Sequence, residues 1–251
     1  MFPFENTLTR LQFRLRRDVF GRIKVRPGLP APVAGAGVER ERGFYSLVCE
    51  KAFDLETRAR VALVWDIGCR NWSYARALAA AFPRANLIGV EVDGGRRYWN
   101  LHRRMDMAAA HAVDLVRHGR GARCVFRDFR ELHLESLAAD PGLGAGDSGR
   151  LRSIQAFGFF FPFVSPRPCV RWGLPPDYAD FRSLLEHAGN SAGPKIFLST
   201  HQGEWEAEIA SKAYLEMGLE PRESVLQPTE FSGLWPSPHP VHVLSAASAA
   251  R

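Results

Sequence analysis

Val61-Ala62-Leu63-Val64-Trp65-Asp66-Ile67-Gly68-Cys69-Arg70-Asn71 is the stretch on which the fold turns. The run Val61 to Ile67 is short, apolar and closed by a glycine, which reads as a strand buried on both faces. Trp72 to Ala81 then reads as a helix. Asp66 closes the strand, and Gly68 opens the turn, where a missing side chain lets the backbone pass close to a ligand. An acid so placed can accept hydrogen bonds from a positively charged amine, directly or through water. A single glycine in the turn does not suit a dinucleotide, whose pyrophosphate needs further glycines to reach the backbone.

Outward from this unit, strands and helices alternate. Strands are expected at Asn86 to Val92, Arg123 to Arg127, Ser153 to Phe161, Lys195 to Thr200, Glu223 to Leu226 and Val241 to Ser245. Helices are expected at Gly95 to His118, Glu131 to Ala139, Asp180 to Ala188 and Gly203 to Met217. Such alternation predicts an α/β fold with a mainly parallel sheet and helices on both faces. Ligands then lie beyond the carboxyl ends of the strands, near the switch in strand order. The loops at 68–73, 91–96, 128–131, 162–180, 201–205 and 227–240 face that site. The glycine-rich loop at 140–149 precedes a strand and faces away, and no Lys-Ser or Lys-Thr follows it as a phosphate cradle requires.

Residues 1–60 read as an N-terminal helical extension or cap, and residues 61–251 as the ligand-binding domain. Within the extension, 5–24 is an amphipathic basic helix or arm, 26–37 a Pro- and Gly-rich loop, and 39–59 a helix with Phe44, Leu47, Val48 and Leu55 near helical spacing. The 251 residues carry a formal charge of +6 and a pI near 9.4. The arginines are dispersed, so strong duplex DNA binding is not expected. The four cysteines form no C-x-x-C pair, which predicts neither a metal site nor a disulfide framework. No run approaches the ~18 apolar residues of a membrane span. A cytoplasmic location is expected.

Four further motifs follow strands. Glu91, with Val92 beside it, can hold both hydroxyls of a ribose; Asp93 is the alternative, since it shares a strand face with Glu91. Asp128 and Phe129 follow the third strand. Phe157 to Phe163 is an aromatic run whose end, Phe161-Pro162-Phe163, reaches the open edge. Ser199 to Trp205 places His201 and Glu204 after the fifth strand. His201 is the candidate general base, while the bland alternative is a helix start in which Glu204 faces the positive end of the dipole.

Asp66-Ile67-Gly68-Cys69-x-Asn71 resembles motif I of class I S-adenosylmethionine-dependent methyltransferases, with Arg70 and Trp72 where that motif usually has its second and third glycines. The resemblance implies a Rossmann-like seven-stranded methyltransferase sheet that binds S-adenosyl-L-methionine. In it Asp66, Gly68, Cys69 and Asn71 lie at the methionyl end, Glu91 and Val92 at the ribose, and Asp128 and Phe129 at the adenine. Gly89 to Glu91, Phe161-Pro162 and Thr200 to Glu204 also resemble tRNA guanine-N7 methyltransferases, but Phe163 replaces the Asp of their Phe-Pro-Asp-Pro-Trp motif. The resemblance implies a methyltransferase acting on a planar or apolar small molecule. The acceptor would sit between Phe161, Pro162 and Phe163 on one side and His201 and Glu204 on the other, under a lid from Trp172, Tyr178 or Trp235. An RNA acceptor is the second possibility. A non-catalytic nucleoside- or partner-binding module is the third, and a first turn blocked by Arg70 or Trp72 favours it.

Overall fold

The computed structural model describes residues 29–97, 102–140, 143, 153–172, 174–235 and 237–248, together with Leu11, Leu15 and Val19; of Arg171 and Trp172 it describes only the backbone. The expected basic arm at 5–24 and the glycine-rich loop lie outside the described residues, apart from Leu11, Leu15, Val19, Asp140 and Leu143.

Seven strands form one sheet: β1 (Val61–Ile67), β2 (Asn86–Val90), β3 (Ala122–Val125), β4 (Ile154–Phe160), β5 (Lys195–Gln202), β6 (Arg222–Leu226) and β7 (Val241–Ala247). Their order is β3-β2-β1-β4-β5-β7-β6. β1 to β5 run parallel, and β7 runs antiparallel to both β5 and β6. The order reverses beside β1, so the crevice between the ends of β1, β2 and β4 is the place for a ligand.

The helices are α1 (Ala36–Ala52), α2 (Leu55–Arg60), α3 (Ala75–Ala81), α4 (Arg104–Arg117), α5 (Leu134–Ala138), α6 (Pro166–Trp172), α7 (Phe181–Gly189) and α8 (Glu204–Glu216). One face of the sheet packs on α1, α3 and α4 through Phe44, Val48, Leu78, Phe82, Val64, Ala108 and Phe160, among others. The other packs on α7 and α8 through Trp65, Phe157, Phe159, Leu185 and Tyr214. Strand alternation does this sorting: Phe157 and Phe159 face one layer, Ala156 and Phe160 the other.

Among the boundaries that differ from expectation, three helix starts or breaks have a clear local reason. The helix expected over 39–59 is two helices, because Asp54 accepts the Thr57 N–H at 2.7 Å and starts α2 afresh. The helix expected from Trp72 starts at Ala75, because Arg70 and Trp72 have φ of 54° and 57°. The helix expected from Gly95 starts at Arg104: Val92 to Gly95 form a turn, and paired glycines are poor helix formers. The proline-rich 163–180 segment contains α6 and a 3-10 turn at Pro176–Ala179.

α1 does not lie loosely on the surface. Phe44, Tyr45, Val48, Cys49 and Ala52 are all buried, and they share their core with residues of the sheet. Among the described residues no helix is long and apolar enough to cross a membrane.

Candidate functional site

The turn after β1 hangs from the last carbonyl of β2, since Gly68 and Cys69 both donate to Val90 O, at 2.8 and 3.0 Å. Left-handed backbone costs a residue with a side chain roughly 1–2 kcal/mol, and this turn has two such residues. Trp72 supplies the compensation. Its indole is fully buried and Nε1 donates to Asp66 Oδ2 at 2.7 Å. Its ring covers Gly89, where an added Cβ would come within 3.0 Å of it. Tyr74 donates its hydroxyl to Asp66 Oδ1 at 3.2 Å.

Asp66 thus sits inside the turn. The carboxylate is wholly buried and both oxygens are answered by the turn's own donors. Burial pushes its pKa up to about 7, against the hydrogen bonds from Tyr74 and Trp72. It holds the turn in shape. Cys69 is buried in the same core, and Asn71 Oδ1 accepts from the Ser73 hydroxyl at 3.3 Å.

Glu91 stands just past the end of β2. Oε2 accepts the Arg70 backbone N–H at 2.9 Å, Oε1 accepts the Asp93 N–H at 2.7 Å, and Arg104 lies 3.1 Å from Oε2. The alternative acid, Asp93, is ion-paired with Arg96, and burial pushes the Asp93 pKa up and the Arg96 pKa down. Val92 is exposed. Glu91 is thus the acid joined to both the β1 turn and the β2 end.

At the end of β3, Asp128 Oδ1 accepts from the Arg130 N–H and guanidinium at 3.0 and 2.9 Å, which holds its carboxyl below the usual range. Arg130 also donates to Asp177 O at 3.2 Å, which draws the Tyr178 segment to this end of the site. Burial first, then Asp128, Asp177 and Asp93, raises the Tyr178 pKa, so Tyr178 stands near the ends of β2 and β3. Phe129 lies inward of its expected place: it is buried edge-on against Trp65, Phe157 and Phe159, 6.3–6.4 Å away.

The ends of β4 and β5 are closed by rings. Phe161 turns out of β4 with φ 53°, its N–H bound to Thr200 O and Oγ1. Its ring stacks on Trp235 at 5.3 Å and 10° and on Phe44 at 6.1 Å and 17°. Phe44 and Trp235 stack at 4.9 Å. Pro162 and Phe163 are half-buried beside them. The expected aromatic pocket wall is instead packing material beneath α1. An open groove of about 510 Å³ lies further out, lined by Gly37, Arg40, Glu41, Gly233, Leu234 and Trp235.

His201 departs from its expected place at the open edge. Its side chain is fully buried, with Nε2 2.8 Å from Ser199 Oγ and the ring edge-on to Phe181. Burial first, then His242, lowers its pKa to about 3. A neutral histidine inside the core is not a base at the open edge. Glu204 is exposed in the first turn of α8, the favourable end of the helix dipole. The Trp172 side chain lies outside the described residues.

Sequence reasoning missed the cross-tie at Arg70. Its guanidinium donates to Glu41 at 2.6 Å and to the Tyr45 hydroxyl at 2.9 Å, and it lies over the rings of Tyr74 and Trp235. Glu41 also accepts from Ser73. No pattern in the chain links positions this far apart. Among the described residues no group of three or more His, Cys, Asp or Glu could hold a metal ion.

No family model matches the chain, and no curated protein matches it. Solved structures do. Precorrin-6y C5,15-methyltransferase from Geobacter metallireducens is 11% identical over 81% of this chain and 87% of that one, with a TM-score of 0.47. Magnesium protoporphyrin IX methyltransferase from Synechocystis, with bound S-adenosylmethionine, is 13% identical over 98% and 97%, with a TM-score of 0.48. Geranyl diphosphate C-methyltransferase from Streptomyces coelicolor is 11% identical over 99% of both chains, with a TM-score of 0.46.

Proposed function

We propose that this chain is an S-adenosylmethionine-dependent methyltransferase of the cytoplasm acting on a planar or apolar small molecule, with residues 1–60 as its cap. The observation that carries this reading is Glu91: a carboxylate at the switch point of the sheet, hydrogen-bonded to the backbone of the glycine turn. A ribose diol fits such an acid. The sulfonium of the bound cofactor supplies an electrophilic methyl, so the protein's part is alignment and exclusion of water. Asp66 contributes by fixing the turn. Glu204 is the remaining candidate acid at the acceptor edge, and an amine or thiol acceptor needs no base from the protein.

The second reading is a nucleoside- or partner-binding module without catalysis. Two observations favour it: Asp66 is enclosed by Trp72 and Tyr74, and Phe161 is sealed under Phe44 and Trp235. Calorimetry with S-adenosylhomocysteine, beside transfer of labelled methyl from S-adenosylmethionine to an extract of small molecules and to RNA, separates the readings. Binding with transfer to small molecules supports the enzyme as proposed. Transfer to RNA moves the acceptor class, binding without transfer supports the module, and no binding removes both nucleoside readings.

A further inference from the structure

We infer that Arg70 couples occupancy of the nucleoside end to opening of the acceptor edge. This rests on the reading that a ribose engages Glu91. The two ends of Arg70 serve different parts of the molecule. Its backbone N–H is held by Glu91 Oε2. Its guanidinium is held by Glu41 and Tyr45 of α1 and lies 5.7 Å from the centre of the Tyr74 ring and 6.0 Å from that of Trp235. Tyr45 in turn stacks on Tyr74 at 3.7 Å and meets Phe160 edge-on at 4.8 Å. One residue thus spans the cofactor turn, the helix over the acceptor edge, and the 231–235 turn whose Trp235 stacks on Phe161.

The backbone at Arg70 is left-handed without being glycine. Such a conformation persists only while its surroundings hold it. Ribose hydroxyls that donate to Glu91 compete for the oxygen that now accepts the Arg70 N–H. Loss of that hydrogen bond frees the turn to move, and the Glu41 and Tyr45 contacts move with it. α1 and Trp235 then release Phe161, and the acceptor edge opens after the nucleoside has bound. The order follows from the geometry: the acceptor end is stacked shut, and its latch is tied to the acid that the ribose engages.

The test is hydrogen exchange over residues 36–52 of the full chain, with and without saturating S-adenosylhomocysteine, binding being measured by calorimetry. The variants are Arg70→Asn, which tolerates the left-handed backbone, and Glu41→Gln, which removes only the charge of the partner. In the parent, ligand is expected to speed exchange over 41–48 severalfold. In Arg70→Asn and Glu41→Gln, exchange there is expected to be fast already, with little further response while ligand still binds. Binding that leaves 41–48 unchanged in the parent overturns the coupling alone, as does parent-like exchange in both variants. No calorimetric binding overturns the nucleoside reading, and the coupling with it.

Discussion

The two halves of the sheet end differently. Past β1, β2 and β3 the edge is built of charge: Asp66, Glu91, Asp93 and Asp128, each answered by a donor of its own neighbourhood. Past β4 and β5 it is built of rings, with Phe161, Phe44 and Trp235 in one stack and His201 buried against Phe181 on the other face of the sheet. Charged groups keep their places by specific partners, so a ligand must exchange those partners one for one. Stacked rings hold by area, so they must be moved aside together. The difference sets a half held by specific partners against a half held by stacked area.

The largest effect tests whether the charged half is as rigid as its hydrogen bonds imply. Trp72→Ala removes a fully buried indole, its bond to Asp66 and the cover over Gly89. The expected loss is about 3–5 kcal/mol, measured by urea unfolding. Phe161→Ala, half-buried on the other half, should cost roughly half as much, since the burial lost is smaller. Equal losses would erase the contrast.

Acidity acts on the buried groups with opposite signs. His111, buried in α4 with Nε2 accepting from the Val33 N–H, is lowered by burial to about 4, and His201 to about 3. Unfolded, both titrate near 6.5. Their contribution is complete above pH 6.5 and is lost as pH falls toward 4. Asp66 runs the other way: its folded pKa is about 7 against 3.8 unfolded, so its contribution is complete below 3.8 and lost as pH rises through 7. Between pH 4.5 and 6.5 the unfolded chain holds up to two more protons through the histidines that the folded chain lacks, and one fewer through Asp66. The net of one gives stability rising with pH by up to about 1.4 kcal/mol per unit, levelling off near pH 7. Asp66→Asn should nearly double that slope. Urea titrations from pH 4.5 to 7.5 check this, and a slope unchanged by the substitution would break it.

Glu91→Gln sharpens the comparison at the ligand. It keeps an acceptor for the Arg70 N–H while removing the charge that binds a diol most strongly. Affinity for S-adenosylhomocysteine is expected to fall about tenfold, or about 1.4 kcal/mol. Asp93→Asn, whose side chain is turned to Arg96, should fall much less. The reverse ranking would move the ribose to Asp93.

The chain discloses one half more readily than the other. The strand ends announce themselves through apolar runs broken by Asp66, Glu91 and Asp128, and the alternation of elements is enough for the seven-stranded sheet. What escapes is side-chain direction at those ends. Phe129 and His201 follow strands as site residues should, yet both point inward, because a residue at a strand end can face either layer and only packing chooses. The closing stack escapes for another reason: Phe44, Phe161 and Trp235 come from distant parts of the chain, and no spacing rule reports their meeting. The non-glycine turn is legible as a departure at Arg70 and Trp72, but its cause, a tryptophan spent on holding Asp66, requires the coordinates.

The smallest expected effect concerns what holds the gate. Phe44 stacks on Trp235 and Phe161 and meets Tyr45 and Phe231 edge-on. Phe44→Leu keeps an apolar side chain of similar bulk in the core, so the burial term changes little. It removes the ring–ring part, which is worth about 0.5–1.5 kcal/mol for an aromatic pair. If stacking holds α1 over the acceptor edge, unfolding stability should fall by about 1 kcal/mol. Exchange over 36–52 should then rise more than exchange in β1 and β2, because the charged half keeps all its partners. Equal acceleration throughout would mean that α1 is simply part of the core and no gate. Faster exchange confined to α1 would locate the weak seam of the molecule along the line between Phe44 and Phe161.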